Sequence, residues 1–382
     1  MSTRRRFLAA TGAAAWAAGA RPALGGTFAQ QLTIAAVVPL TGPQSAAGVQ
    51  IANGVRQAVD EANRLIGTLD RSFAMRAFDD QNSFVGAVMG AQFASADPTV
   101  IAAVGHLSGS VTLTALQQYA NARMPLIVPA SSADRITARG YRNVFRLPTK
   151  DSTEGQLFAR YLVSKARPTK AVALTQDGDY GGDVARGFAA QAAIERLVTT
   201  TIVLAAADSQ FSDVARRVLA VEPDFVFLAG NADAMGPVAP ALRAAGFKGA
   251  FGASQGFYTP AALQYASELA DVLISTSMPP LERITADFQY VGDLSAQYGD
   301  VTPLLAFGFA AGQIPIDAAR RTGVSDRLSL MRALSTGGSY ETLLGSFSFS
   351  LTGDPIDPNV YFYTLAEGKF KYVGASHPSS FL

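Results

Sequence analysis

The chain has 382 residues, 49% of them apolar and 16% charged, with 31 basic side chains against 30 acidic ones and no cysteine. That length suits two domains with a sizeable buried core. The balanced charge offers no basic stripe for nucleic acid, and a chain without cysteine has neither a disulfide framework nor a thiol for a lipid anchor.

The N-terminus reads as a targeting segment. Arg4-Arg5-Arg6-Phe7-Leu8 precedes an Ala-rich stretch from Ala9 to Ala20 that is too short and too weakly apolar to span a membrane. This matches the signal read by the twin-arginine export machinery. Thr27-Phe28-Ala29 supplies small residues for cleavage before Gln30. Residues 1–29 are therefore expected to be a signal peptide, and the mature protein to be soluble in the periplasm.

From Leu32 onward, short apolar runs alternate with amphipathic stretches. The pattern predicts strands over Leu32–Val38, Ser72–Phe78, Val100–Val104 and Leu126–Val128, separated by helices over Ser45–Ile66, Phe84–Ala94 and Ser110–Asn121. Arg139–Lys150 has the look of a connection. The rhythm then restarts, with helices over Thr153–Lys165, Gly181–Ala193, Phe211–Ala220 and Ala232–Ala245. The strands between them fall over Lys170–Thr175, Thr199–Leu204, Asp224–Ala229 and Val272–Ser277. Helices follow over Ala286–Tyr298 and Leu304–Arg321, then terminal strands over Val360–Thr364 and Phe370–Val373. Such alternation predicts an α/β fold with two doubly wound parallel units, in which ligands sit beyond the carboxyl ends of the strands.

Several chemistries can be weighed at those strand ends. Ser108 in "GHLSGS" has His106 two residues away but lacks the glycine of a nucleophile elbow. The same stretch lacks the lysine of a phosphate loop. Two histidines and no cysteine make a zinc or copper site improbable. "DGDYGGD" opens like a calcium loop but carries Phe188 where a bidentate Glu is needed. Asp79-Asp80 reads as a cap and turn. What survives is a set of small hydroxyl and amide residues after strands: Ser108, Ser110, Ser131, Ser132, Asn231, Tyr180 and Gln255. Each alone reads as a helix cap; together they describe a polar binding pocket without a catalytic acid or base or a cofactor.

The ordered series "VVPLTGPQSAAGVQIANGVRQAVDEAN", "FDDQNS", "AAVGHLSGSVT", "MPLIVPASSADRITARGYRNVFRLPTKDSTEG", "QDGDYGGDVARGF", "FSDVARRVL" and "PDFVFLAGNADAMGPVAPALRAAGFKG" resembles the periplasmic branched-chain amino-acid binding proteins, the solute receptors of ABC transporters. The resemblance runs from about Leu32 to about Val373 and implies two Rossmann-like lobes joined by a three-crossing hinge. Crossings near Lys150, Ser277 and Asp354 would give a first lobe of 30–150 and 278–354 and a second of 151–277 and 355–382. It implies that the chain delivers a ligand to membrane permease subunits. A sensor of the same fold is an alternative reading, and a secreted hydrolase a remote one.

The resemblance also implies the site. Ser108-Gly109-Ser110 and Ala130-Ser131-Ser132 would grip the ligand carboxylate, and Tyr180 would close over it. The chain departs from the family at Gly109, where a hydroxyl residue is expected, at Asn231 and Ala47, where aromatics are expected, and at Gln255, where an acid pairs the ligand ammonium. The family's small disulfide falls on Asn82 and Ser108. Asp233 is a further acid, read as a helix cap. A buried ammonium without a partner costs about 3–5 kcal/mol. The expected ligand is therefore a small carboxylate-bearing compound, either an amino acid or, given Gln255, an aromatic or aliphatic carboxylic acid.

Overall fold

The computed structural model describes residues 30–66, 71–176, 180–205, 211–280, 288–336 and 338–376. The expected signal peptide, and the start of the "DGDYGGD" loop, lie outside them.

The first sheet is built from β1 (Gln30–Val38), β2 (Arg71–Asp79), β3 (Val100–Gly105), β4 (Leu126–Val128) and β5 (Val144–Arg146), in the order β2-β1-β3-β4-β5. Every described pairing in it is parallel. Strands covered on both faces need apolar side chains on both, which is why they read as unbroken apolar runs. On β1, Ile34, Ala36 and Val38 enter a core shared with α1 (Ser45–Ile66) and α11 (Pro303–Thr322). Ala35 and Val37 point the other way, into the core of α2 (Phe84–Ala96) and α3 (Gly109–Asn121). Helices α1 and α11 touch backbone to backbone: a Cβ on Gly54 would stand 2.3 Å from the Leu305 carbonyl oxygen. Residues 303–322 thus complete a lobe whose parallel sheet ends before residue 147.

The second sheet holds β6 (Lys170–Gln176), β7 (Val198–Leu204), β8 (Phe225–Ala229), β9 (Ala250–Ala253) and β10 (Leu273–Thr276), joined by β13 (Val360–Ala366) and β14 (Lys369–Ser376). Its order is β14-β13-β10-β9-β8-β6-β7. The first five are parallel, and the terminal pair runs antiparallel on the β10 edge. Helices α5 (Asp151–Lys165) and α6 (Gly182–Ile194) cover one face. On the other lie α7 (Phe211–Leu219), α8 (Ala232–Met235) and α9 (Val238–Ala244).

Some elements depart from the sequence-based expectation. The stretch 139–150 contains β5, a first-sheet strand of three residues. The helix expected over Ala232–Ala245 is two, broken at Gly236-Pro237, where proline removes an N–H donor. Strand β9, helix α12 (Arg327–Thr336) and the hairpin of β11 (Tyr340–Thr342) and β12 (Gly345–Phe347) were not anticipated. The chain passes between the sheets after β5, after β10 and before β13. Thr149 ties these passages together: its N–H donates to Ser277 Oγ at 3.0 Å and its hydroxyl to the Asn359 carbonyl at 2.9 Å. Among the described residues, no helix is long and apolar enough to cross a membrane.

Candidate functional site

Between the lobes, at the carboxyl ends of the strands, lies a cavity of about 680 Å³, a size suited to a small-molecule ligand. The β3–α3 loop contributes Leu107, Ser108 and Gly109, and the loop after β4 contributes Pro129 to Ala133. Ala47 comes from α1, and Leu304 and Phe307 from α11. The second lobe contributes Tyr180, Asn231, Gln255 and Tyr258. Of the residues expected to bind ligand, Ser110 lies outside the lining, in the first turn of α3. Asp233 is exposed in the first turn of α8, outside the lining; the N-cap position expected of it is occupied by Asn231.

The serine loops are held from behind. Arg146 is fully buried at the end of β5. Its Nη1 donates to the carbonyls of Ser132 (2.8 Å) and Ala133 (2.6 Å). Its Nη2 donates to Thr137 Oγ1 (2.6 Å) and to Asp354, and Nε donates to Asp354 Oδ1 (3.1 Å). All five guanidinium N–H bonds are thereby used. The other loop rests on a buried chain in which Asp80 Oδ2 pairs with His106 Nδ1 (2.5 Å) and Tyr119 OH with His106 Nε2 (3.1 Å). Both imidazole nitrogens are engaged there. Ser108 Oγ instead donates to Asn82 Oδ1 at 2.8 Å, so no base is assembled on Ser108. Ser108 and Asn231 do occupy helix N-cap positions, but neither side chain makes a capping bond.

Opposite, Gln255 reaches across the cleft: its Nε2 donates to Ser132 Oγ at 2.9 Å. Its backbone N–H donates to Glu154 Oε1 (2.7 Å), which also accepts from Ser275 Oγ (2.6 Å). The Gly256 N–H donates to the Tyr180 hydroxyl at 3.3 Å. Two acids that sequence reasoning passed over lie here, Asp151 and Glu154 in the first turn of α5; Asp151 lines the cavity. Burial pushes the Glu154 carboxyl up to about 8, with the Asp151 charge adding to it against the Ser275 and Gln255 bonds. Burial likewise pushes Asp151 up to about 7, aided by Asp134 and opposed by the Ser132 hydroxyl and Arg146. Burial and these two acids hold the Tyr180 phenol well above its usual value. An acid in a first turn is ordinary helix chemistry, so nothing in the local pattern marks Asp151 as facing a cleft.

The sequence profile of the periplasmic binding protein family matches residues 31–369. The chain belongs to the periplasmic binding protein family. It is 27% identical over 330 residues to a Leu/Ile/Val-binding protein of Citrobacter freundii, an alignment covering 86% of this chain and 89% of the relative. Its structure superposes on a leucine binding protein of Thermotoga maritima with a TM-score of 0.80 at 20% identity, covering 91% of this chain and 99% of the other. It superposes on an ABC transporter solute binding protein of R. palustris in complex with benzoate with a TM-score of 0.71 at 22% identity, covering 91% and 97%.

Two departures from the expected pattern have physical reasons in this periplasmic binding protein. A Cβ on Gly109 would stand 2.9 Å from Ala133 Cβ, so a hydroxyl residue there would have to push the second serine loop aside. Where the resemblance implies a disulfide, the Ser108–Asn82 hydrogen bond joins the same two loops.

Proposed function

We propose that the chain is the solute receptor of an ABC transporter of the branched-chain amino-acid type. It clamps a small carboxylate-bearing ligand, an amino acid or an aromatic or aliphatic carboxylic acid, between its lobes and delivers it to membrane permease subunits. The observation that carries this reading is the cavity itself, where Ser108, Gly109, Ser131 and Ser132 present hydroxyls and loop backbone from one side, and Tyr180, Asn231 and Gln255 face them from the other. The first-lobe groups meet a carboxylate at the positive end of α3, where charge-assisted hydrogen bonds are strongest. Leu107, Pro129, Leu304, Phe307 and Tyr258 supply an apolar wall for the ligand body, with Ala47 leaving room beside it. Contacts from both lobes exist together only when the cleft is shut, so ligand should favour closure.

A thermal-shift panel of amino acids and simple carboxylic acids tests this. A ligand at a hundred times its dissociation constant adds about 2.7 kcal/mol to stability. Ser132→Ala should weaken any ligand that responds by about 1.5–3 kcal/mol, the worth of a hydrogen bond to a charged group. A ligand that stabilises both proteins equally would refute the carboxylate grip. Export by the twin-arginine route is part of the proposal: changing Arg4 and Arg5 to Lys should hold the precursor in the cytoplasm, and normal periplasmic accumulation would refute it.

A further inference from the structure

Among the described residues that line the cavity there is one carboxyl group, that of Asp151, and no Lys, Arg or His. Asp151 is 1% exposed, and its Oδ1 has no hydrogen-bond partner. An acid in a helix's first turn normally faces water or bonds a free backbone N–H; this oxygen does neither. The groups around it are otherwise occupied. The Arg146 guanidinium spends every N–H on the serine loop, Thr137 and Asp354. Asp134 accepts the Ser152 N–H at 3.0 Å, and Glu154 Oε1 accepts from Gln255 and Ser275; Glu154 Oε2 is also without a partner, but Asp151 and not Glu154 lines the cavity. A buried acceptor left unmet is costly, and in native proteins it usually awaits a partner.

We propose that Asp151 is the specificity-determining residue of this site, its free oxygen accepting a hydrogen bond from a donor, an ammonium or a hydroxyl, that the ligand carries beside its carboxylate. The inference rests on the reading that the Ser131-Ser132 loop takes the carboxylate. The position of the donor follows from the neighbours. The Asp151 N–H donates to the Ser132 carbonyl at 3.0 Å, and the Ser132 hydroxyl adjoins the Asp151 carboxyl. A group that meets Asp151 while the carboxylate meets Ser132 is therefore close to that carboxylate, as a donor on the adjacent carbon would be. Asp151, approaching from the helix at the first crossing, takes the part that the resemblance assigns to an acid at Gln255, whose amide points instead to Ser132. Its ionisation is poised: burial has raised the carboxyl to about 7, with Asp134 and Glu154 as the nearby negative groups, Arg146 as the positive one and the Tyr180 phenol beside the pair.

Two trios of ligands that differ at a single carbon test the proposal by calorimetry: leucine, α-hydroxyisocaproate and isocaproate, and phenylalanine, phenyllactate and phenylpropionate. The unaltered protein should prefer a donor-bearing member over the bare acid by about tenfold or more, and Asp151→Asn should collapse that ratio towards one. Equal weakening of all members by Asp151→Asn, or an unchanged ratio, overturns the inference and leaves the carboxylate reading standing. Ser132→Ala should weaken every member of a trio; an Asp151-dependent ratio with no response to Ser132→Ala would overturn the carboxylate reading instead. A second measurement needs no variant. The preference for leucine over isocaproate, or for phenylalanine over phenylpropionate, should rise between about pH 6 and about pH 8 as Asp151 ionises; a flat preference overturns the inference.

Discussion

The two walls of the cleft are built differently. On the first lobe each loop is anchored by polar groups, several of them fully buried: Arg146 with Asp354 behind Ser132, and Asp80 and His106 with Asn82 behind Ser108. Those anchors join distant parts of the chain, for Arg146 and Asp354 are 208 residues apart. On the second lobe the backbone of Gln255 is held by the buried Glu154, itself bonded to Ser275, but Asn231 has no capping bond and Tyr180 is met by the Gly256 N–H at 3.3 Å. Behind them lies a largely aromatic core, with Phe158, Phe188 and Phe227 packed ring to ring. The contrast teaches a division of labour. A grip on an anion needs donors fixed in advance of binding, which buried networks supply. A wall that selects the ligand body can be rebuilt one side chain at a time without disturbing that grip.

The largest effect should come from cutting the first-wall anchor. Arg146→Met leaves Asp354 without its cation and the Ser132 and Ala133 carbonyls without donors. We expect a loss of about 3–5 kcal/mol in denaturant unfolding, as for a broken buried ion pair. A loss under about 1 kcal/mol would mean that the loop does not depend on this anchor.

A smaller effect concerns the acid behind the second wall. The Glu154 carboxyl is held up at about 8 in the folded protein. At pH values between its unfolded pKa and that value, the native state therefore keeps a proton that the unfolded chain has lost. Stability from this group is fully present below the unfolded pKa and is lost progressively as pH rises towards about 8. Glu154→Gln, which keeps an acceptor for Gln255 and Ser275, should flatten the decline in melting temperature between about pH 5 and about pH 8. An identical decline in the variant would locate the slope elsewhere.

The smallest effect joins the walls. Gln255→Ala removes the bond to Ser132 Oγ and should favour the open form of the ligand-free protein by about 1 kcal/mol, the net worth of a neutral hydrogen bond. Small-angle scattering would record a larger radius of gyration; an unchanged radius would show that this bond does not hold the lobes together.

Much of the scaffold was legible because it is local. Val100 to Val104 is apolar throughout and can be little but a buried strand, and the spacing of Val55, Val59 and Ala62 declares one face of α1. Strand β5 was not legible. It has three residues and ends in an arginine, and only its pairing with β4 and the Asp354 partner make that burial sensible. The broken helix at Gly236-Pro237 carried a local signal that the apolar periodicity on either side obscured. At the site, the serine loops were marked by small polar residues directly after strands. Asp151 was not, since its environment is made by Ser132, Asp134 and Arg146, residues that the fold brings to α5 from the other lobe.

Thr149 has a mechanical consequence. It is 2% exposed, and both of its hydrogen bonds run to the neighbouring passages, one to Ser277 and one to Asn359. Three peptide segments clasped side by side at one point resist twisting about any single strand, as separate tethers would not. Relative motion of the lobes is thereby reduced towards a single angular coordinate, an opening and shutting without swivel. A pair of fluorophores, one on each lobe, would then read that angle directly, and a distance between any two well-chosen points would describe the motion as fully as a set of them.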